Sequence, residues 1–131
     1  MISPKKILTK YWGYTTFREP QEEIITSVLQ NKDVIALLPT GGGKSICFQI
    51  PALAKDGICL VISPLIAENL NSLDIKAALI PSKSSQDDMV TLFDNVKFGN
   101  YKFLYISPER LQSRFIQEKI LQLNINLIAI D

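Results

Sequence analysis

The chain has 131 residues, of which 47% are hydrophobic, so its length and composition predict one domain at most, with an ordinary buried core. Fourteen basic side chains nearly balance thirteen acidic ones, and the net charge of +1 gives no support for a broad basic face. Any nucleic-acid binding must therefore depend on local groups, such as the backbone N–H groups at helix ends. The chain has no histidine, which excludes catalysis or metal binding by histidine within it.

The cysteines and the N-terminal segment indicate the compartment. Cys47 and Cys59 both lie among apolar residues, so they are predicted to be buried free thiols rather than a disulfide or a zinc site. No apolar run typical of a signal peptide follows residues 1–6, and no run reaches the length of a membrane span. We therefore expect a cytoplasmic protein without a membrane partner.

The first thirty residues are predicted to form two helices. Ser3-Pro4 is typical of a helix start and Gly13 of a helix end, so the first helix is expected between them. A second helix is predicted from about Pro20 to Gln30, where apolar residues recur at helical spacing. The irregular segment between the two helices is rich in side chains that can recognise a base.

A glycine-rich loop follows a predicted strand and precedes a predicted helix. The apolar run Asp33–Leu38 is expected to be a buried strand, and residues 46–54 are expected to be the helix. The loop between them reads Thr40, Gly41, Gly42, Gly43, Lys44 and Ser45. Glycines allow a close approach to a ligand, the exposed N–H groups attract an anion, a lysine adds positive charge, and a serine hydroxyl can bind Mg²⁺. The order of elements predicts a phosphate-binding loop, with an ordinary glycine-rich turn as the alternative.

The rest of the chain alternates short apolar strands with helices. Strands are predicted at 58–63, 76–80, 102–107 and 127–131, and helices at 86–97 and 109–123. This alternation predicts an α/β fold, a parallel sheet with helices on both faces. Ligands of such sheets bind at the carboxyl ends of the strands. The polar residues that follow four strands are therefore expected at one edge, namely Thr40, Ser63, Ser107 and Asp131.

The segment before the glycine-rich loop contains Gly13, Tyr14, Phe17, Arg18 and Gln21. With this spacing it resembles the adenine-recognition motif of the RecQ family of DNA helicases. The resemblance implies that Gln21 hydrogen-bonds the adenine edge, that Tyr14 stacks on the base, and that Arg18 lies in the nucleotide site. A side-chain amide suits adenine because it offers a donor and an acceptor together. The alternatives are a solvated helix start for Gln21 and Arg18, and a core aromatic for Tyr14.

Three later motifs are similar to the same family. Ser63-Pro64-Leu65 and Ser107-Pro108-Glu109-Arg110-Leu111 match motifs that lie along single-stranded DNA. The resemblance implies DNA contacts by four of these residues, Ser63, Pro64, Ser107 and Arg110. The alternatives are plain Ser-Pro helix starts and a structural ion pair for Arg110. Asp131 resembles the first acid of the second ATPase motif, which implies that it holds Mg²⁺ with Ser45 and acts in catalysis with Lys44.

The resemblance implies the start of a RecA-like P-loop NTPase lobe, with residues 1–31 as the adenine-recognition segment and 32–131 as the sheet core. The family couples ATP hydrolysis, with Mg²⁺, to 3′-to-5′ translocation on single-stranded DNA and to unwinding at duplex junctions. Only the first part of a lobe is covered, so we expect a longer parent protein. The segment after Ile66 is also roughly six residues shorter than the family pattern, and we expect residues to be missing there.

Three other functions stay open. A DEAD-box RNA helicase has the same lobe, but its usual motifs differ from those at Ser63 and Ser107. A small P-loop kinase fits the length, but it has no use for Gln21. The third is a non-catalytic nucleotide-binding fragment, because we expect negligible ATPase activity from these 131 residues alone.

Overall fold

A computed structural model describes residues 2–39, 43–64, 73–81 and 83–131. The chain forms two compact units, Met1–Asp56 and Gly57–Asp131. The described residues of the first unit form the helices α1 (Pro4–Trp12), α2 (Gln21–Leu29) and α3 (Lys44–Ala54). Those of the second unit form β1 (Ile58–Ile62), β2 (Ala77–Leu79), α4 (Gln86–Phe98), β3 (Phe103–Ile106), α5 (Arg114–Leu121) and β4 (Ile125–Ile130). The division of one lobe at residue 31 stays a prediction.

The helices α1 and α2 have nearly the bounds that the sequence predicts. Pro4 occupies the first turn of α1, where its missing N–H leaves no helical hydrogen bond unmade. Gly13 ends α1 in the left-handed conformation, with φ 77°, and its N–H donates to the carbonyl oxygens of Leu8 and Thr9. This is a C-cap that glycine adopts without steric conflict.

The three helices of the first unit share one apolar core. Its buried members are Ile7, Leu8, Ile25, Ile50 and Ala54. Ile25 and Ile50 are fully buried, and each such side chain contributes about 1.5–3 kcal/mol by leaving water. The packing of α2 on α3 in this core brings the start of one helix close to the start of the other.

The predicted strand at Asp33–Leu38 is wrong, because residues 32–39 form neither a helix nor a strand. Ile35 and Leu37 are 90% and 88% exposed. A strand needs a neighbour to accept its hydrogen bonds, and in the described part of the chain strand pairing is confined to the second unit. An apolar run shows that a segment suits a strand but does not supply that neighbour. The helix after the loop does form, and it begins at Lys44 rather than at residue 46.

Four strands of the described residues form one parallel sheet in the order β2-β3-β1-β4. Leu60 at the centre of β1 is in register with Leu104 of β3 and Ile128 of β4. The predicted α/β fold with a parallel sheet is therefore confirmed. The short apolar runs form these strands because a parallel sheet is buried where helices cover it.

The core of the second unit lies between the sheet and two helices. Met89, Phe93 and Val96 of α4 belong to one buried cluster with Leu104 of β3 and Ile116 of α5. Helix α4 begins where Ser85 caps it, because the Ser85 hydroxyl oxygen accepts a hydrogen bond from the Asp88 N–H at 3.1 Å. This capping contact fixes where the helix starts on the sheet.

The predicted continuous helix over residues 109–123 is wrong. A short 3₁₀ helix, Arg110–Gln112, comes first, and α5 begins only at Arg114. Ser113 has an extended backbone, with ψ 122°, and its hydroxyl oxygen accepts from the Ile116 N–H at 3.4 Å. Serine favours this N-cap role because its side chain competes for nearby backbone groups.

Both cysteines are buried free thiols, as predicted. Burial raises the pKa of the Cys47 thiol, and it raises the pKa of the Cys59 thiol to about 12. Both thiols therefore stay protonated at neutral pH. Of the helices in the described residues, none combines the length and the apolar character needed to cross a membrane.

Candidate functional site

A cleft of about 480 Å³ opens in the first unit. Its walls come from the turn after α1, the start of α2 and the start of α3. Four residues predicted to bind nucleotide line it together: Tyr14, Arg18, Gln21 and Gly43. The volume falls within the range of about 300–1,000 Å³ that small-molecule sites occupy. The cleft can therefore hold a base with part of the group attached to it.

Gln21 connects the two sides of this cleft. Its side chain is only 4% exposed. The side-chain oxygen Oε1 accepts from the Arg18 N–H at 2.9 Å, and Nε2 donates to the Gly43 carbonyl oxygen at 3.2 Å. The Gln21 N–H also donates to the Arg18 carbonyl oxygen at 2.8 Å, so the turn before α2 is closed by two reciprocal bonds. These contacts fix which end of the amide is the oxygen and which is the nitrogen.

The exposures of two cleft residues exclude the structural alternative for each, and their roles in nucleotide binding stay predictions. Gln21 does not lie at a solvated helix start, because it is buried. Tyr14 is not a core aromatic, because it is 56% exposed. The Arg18 side chain is exposed and lines the cleft. An exposed ring beside a buried amide is an arrangement that can stack on one face of a base and read its edge.

The start of α3 forms the other side of the cleft. Thr40, Gly41 and Gly42 of the predicted phosphate loop lie outside the described residues. Gly43 is the N-cap of α3 and has a left-handed backbone with φ 75°. Lys44 and Ser45 form the first turn of this 11-residue helix, and neither is buried. The unpaired N–H groups at a helix start attract anions, and Lys44 adds a positive charge, so these residues fit a phosphate group.

Three predicted residues lie along the carboxyl edge of the sheet in the second unit. Ser63 follows β1, Ser107 follows β3 and Asp131 follows β4. The Ser63 N–H donates to the Ile106 carbonyl oxygen at 3.0 Å, and the Asp131 N–H donates to the Ile62 carbonyl oxygen at 2.9 Å. The structure thus brings these three residues to one edge, while Thr40 lies outside the described residues.

Arg110 is held next to this edge. Its N–H donates to the Ser107 hydroxyl oxygen at 3.4 Å, and its Nη2 donates to the Ser84 hydroxyl oxygen at 3.5 Å. Its buried Nε has no hydrogen-bond partner among the residues that the structure describes. Sequence reasoning missed Ser84, which lies 26 positions from Arg110, and no local spacing signals such a contact. Pro64, the remaining predicted DNA contact, is exposed.

The predicted magnesium ligands, Ser45 and Asp131, lie in different units and are both exposed. Within the described ranges, no group of three or more Cys, Asp or Glu side chains could hold a metal ion. Magnesium usually takes only one or two protein oxygens and completes its shell with water and substrate phosphates. A hydroxyl and a carboxylate are therefore the type of donor that this ion needs.

Comparison with known proteins places these residues in a family. The family model of the DEAD/DEAH box helicases matches residues 18–131. The probable ATP-dependent DNA helicase RecS of Bacillus subtilis is 38% identical over 138 positions, which span all of this chain and 27% of RecS. The ATP-dependent DNA helicase RecQ of the same organism is 43% identical over 136 positions, 97% of this chain and 23% of RecQ. A putative ATP-dependent RNA helicase of Acanthamoeba polyphaga mimivirus is 39% identical over a region that spans 97% of this chain and 24% of the length of that helicase.

The chain spans about a quarter of the length of these relatives. The comparison with RecS covers 138 positions against 131 residues, so at least seven RecS residues have no counterpart here. Residues 65–72, where we expect missing residues, lie outside the described part, and that expectation stays a prediction. The resemblance to RecQ helicases is confirmed by the names of the relatives. Because the family model matches most of its length, this chain belongs to the DEAD/DEAH box helicase family.

Proposed function

We propose that the protein is a RecQ-type, ATP-dependent DNA helicase that couples ATP hydrolysis to 3′-to-5′ translocation on single-stranded DNA and to duplex unwinding. The observation that carries the proposal is the Gln21 side chain, which links the wall of a base-sized cleft to Gly43 at the start of α3. A base pocket joined directly to a phosphate-binding helix start is an arrangement suited to a nucleoside triphosphate. These 131 residues supply the first part of that site.

The base end of the cleft supports adenine as the ligand. The Gln21 oxygen points to the Arg18 N–H and its nitrogen points to Gly43, so the amide presents an acceptor and a donor in a fixed order. Adenine offers a donor at N6 and an acceptor at N7, which match that order. The exposed ring of Tyr14 stacks on the base, and the Arg18 side chain lies at the cleft wall beside the nucleotide.

The phosphate end depends on the start of α3 and on the residues of the loop before it. Lys44 places its charge on the β- and γ-phosphates, while the N–H groups of the first turn bind their oxygens. The resemblance to RecQ helicases assigns Thr40, Gly41 and Gly42 to phosphate binding as well, and Ser45 and Asp131 would each supply an oxygen ligand to Mg²⁺. The ion neutralises charge on the phosphates when it is bound. Lys44 and Asp131 are the catalytic residues in this proposal.

Single-stranded DNA is proposed to run along the carboxyl edge of the sheet. Ser63 and Ser107 lie beside each other there. The backbone N–H of Arg110 donates to the Ser107 hydroxyl oxygen, and its guanidinium donates to the Ser84 hydroxyl oxygen. Hydroxyl and guanidinium groups bind phosphate oxygens without regard to base sequence, as a translocating enzyme requires. Pro64 borders the same edge. The partners are single-stranded DNA and duplex junctions, and the names of two relatives support DNA over RNA.

Hydrolysis and unwinding by the protein at its natural length test the proposal. Lys44→Ala should lower DNA-stimulated ATP hydrolysis about a hundredfold or more, because a charge that stabilises the transition state is lost. Lys6→Ala, at an exposed position of α1, is the matched control and should keep full activity. Equal hydrolysis by Lys44→Ala and the unmodified protein would reject the nucleotide site. Stimulation by RNA but not by DNA would favour the RNA helicase.

The cellular setting belongs to the same proposal. We infer a cytoplasmic location and a role in DNA repair and recombination from the resemblance to RecQ helicases. Cells that carry Lys44→Ala should become sensitive to DNA-damaging agents, and cell fractionation should recover the protein in the soluble fraction. Normal survival of the variant cells after damage would argue against the repair role.

A further inference from the structure

We propose that Gln21 is also a positioning residue for the phosphate loop, so that it sets the direction of a backbone N–H that binds phosphate. This inference rests on the proposed nucleotide site and adds a second role for the same side chain. A residue that only reads the base would affect ATP and leave a ligand without a base unaffected. A residue that also positions the loop affects both ligands.

The contact that carries the proposal joins α2 to the start of α3. The Gln21 Nε2 donates to the Gly43 carbonyl oxygen at 3.2 Å, across 22 positions of sequence. The same carbonyl oxygen lies 3.8 Å from the Cys47 Sγ, which donates to it from the first turns of α3. Gly43 is therefore anchored from its own helix and from a neighbouring one.

Because the peptide group is planar, the contact to the Gly43 carbonyl oxygen also affects the direction of the Lys44 N–H. The Gly43 carbonyl and the Lys44 N–H belong to one peptide unit, and in a trans unit they point in opposite directions. Fixing the carbonyl therefore fixes the N–H. Lys44 is the first residue of α3, so its N–H is one of the donors that a helix leaves without a partner at its start.

Gln21 is rigid enough to act in this way. Its side chain is 4% exposed, and the Arg18 N–H holds its oxygen at 2.9 Å. Gly43 in turn leaves room for it, because a Cβ at that position would collide with the Gln21 Nε2. Without the amide, the backbone of Gly43 can adopt other conformations, because glycine has few steric restrictions. Phosphate binding must then also order this peptide unit, which weakens the binding.

The test compares two ligands, ATP and inorganic tripolyphosphate, with the protein at its natural length and in the presence of Mg²⁺. Gln21→Met keeps the size of the side chain and removes the hydrogen bonds to the Arg18 N–H and the Gly43 carbonyl oxygen. It should raise the Kd for ATP and also raise the inhibition constant of tripolyphosphate against ATP by about three- to tenfold, the usual effect of one lost hydrogen bond. Gln30→Met, exposed at the end of α2, is the matched control and should change neither constant.

Tyr14→Ala separates base binding from loop positioning. It should raise the Kd for ATP and leave the inhibition constant of tripolyphosphate unchanged, since a stacking ring touches only the base. If Gln21→Met also leaves tripolyphosphate unchanged while it weakens ATP, the positioning role is refuted and the nucleotide site stands. If tripolyphosphate does not compete with ATP in the unmodified protein, the Lys44 N–H is not positioned to bind phosphate. The positioning role is then also refuted. Failure of the unmodified protein to bind ATP would overturn the proposed function itself.

A second variant covers the case in which Gln21→Met does not fold, which thermal unfolding would reveal. Gln21→Asn keeps the amide but shortens the side chain by one methylene group, so its nitrogen no longer reaches the Gly43 carbonyl oxygen. The same loss of about three- to tenfold is expected for tripolyphosphate. An unchanged inhibition constant in this variant would refute the positioning role in the same way.

Discussion

Replacing Gly43 by alanine should destabilise the first unit by two separable effects. The residue has φ 75°, in the left-handed region that L-amino acids avoid. A Cβ there would also meet the Nε2 of Gln21. The amide is the end of a flexible side chain, so it can move away, but moving it breaks its bonds to the Gly43 carbonyl oxygen and the Arg18 N–H.

The magnitude follows from these contacts. Left-handed backbone in alanine costs about 1–2 kcal/mol. Each of the two broken hydrogen bonds costs about 0.5–1.5 kcal/mol. Alanine also lowers the conformational entropy of the unfolded chain, which stabilises the folded protein by about 0.4–1 kcal/mol. The free energy of unfolding should therefore fall by about 1–5 kcal/mol, and the two broken hydrogen bonds contribute about 1–3 kcal/mol to this loss.

Gly13 offers the matched control, since it has nearly the same φ, 77°, and a Cβ added there would meet no other atom within 4 Å. Urea denaturation followed by circular dichroism should show that Gly43→Ala loses about 1–3 kcal/mol more than Gly13→Ala. In a Gln21→Ala background the collision is absent, and this extra loss should disappear. Equal losses at the two glycines, or an undiminished loss in the double variant, would refute the contact between Gly43 and Gln21.

Three further predictions concern stability. Burial raises the pKa of the Cys59 thiol from its ordinary value of 9.0 to about 12, so the unfolded chain loses this proton at a lower pH than the folded protein does. The free energy of unfolding should therefore fall by about 1.4 kcal/mol from pH 8 to pH 10. Cys59→Ala should abolish this part of the pH dependence. Ser113→Ala should cost about 1 kcal/mol in urea denaturation, whereas Ser3→Ala, at a cap without a side-chain hydrogen bond, should cost less. Ile50→Ala should cost about 2–5 kcal/mol, while the exposed Ile35→Ser should cost less than about 0.5 kcal/mol, and a large loss at Ile35 would indicate that it is buried as a strand.

The sequence predicts most of the second unit because its signals there are local. Short apolar runs indicate the strands, and the apolar side of residues 86–97 indicates α4, with a start at Gln86. Parallel pairing then brings the ends of the strands to one edge, which is why Ser63, Ser107 and Asp131 could be expected together. These inferences need only the periodicity of a segment and the geometry of a parallel sheet.

The errors occur where the outcome depends on a distant partner or on a single polar side chain. Asp33–Leu38 has the composition of a strand, yet no described strand pairs with it. Ser113 interrupts a helix whose apolar spacing continues on both sides, because its hydroxyl caps α5 instead. The spacing of apolar residues does not show whether a neighbouring strand is present. It also does not show whether a serine lies inside a helix or at its N-cap.

The candidate site combines both kinds of information. The reciprocal bonds between Gln21 and Arg18 are local, since three positions separate the residues. The bond from Gln21 to Gly43 is tertiary, and its 3.2 Å length depends on how α2 packs against α3 through Ile25 and Ile50. A hydrogen bond weakens over a few tenths of an ångström, whereas a core accommodates a lost methyl group by small shifts of its helices. Core residues that touch no ligand can therefore control nucleotide binding by moving one helix start relative to the other.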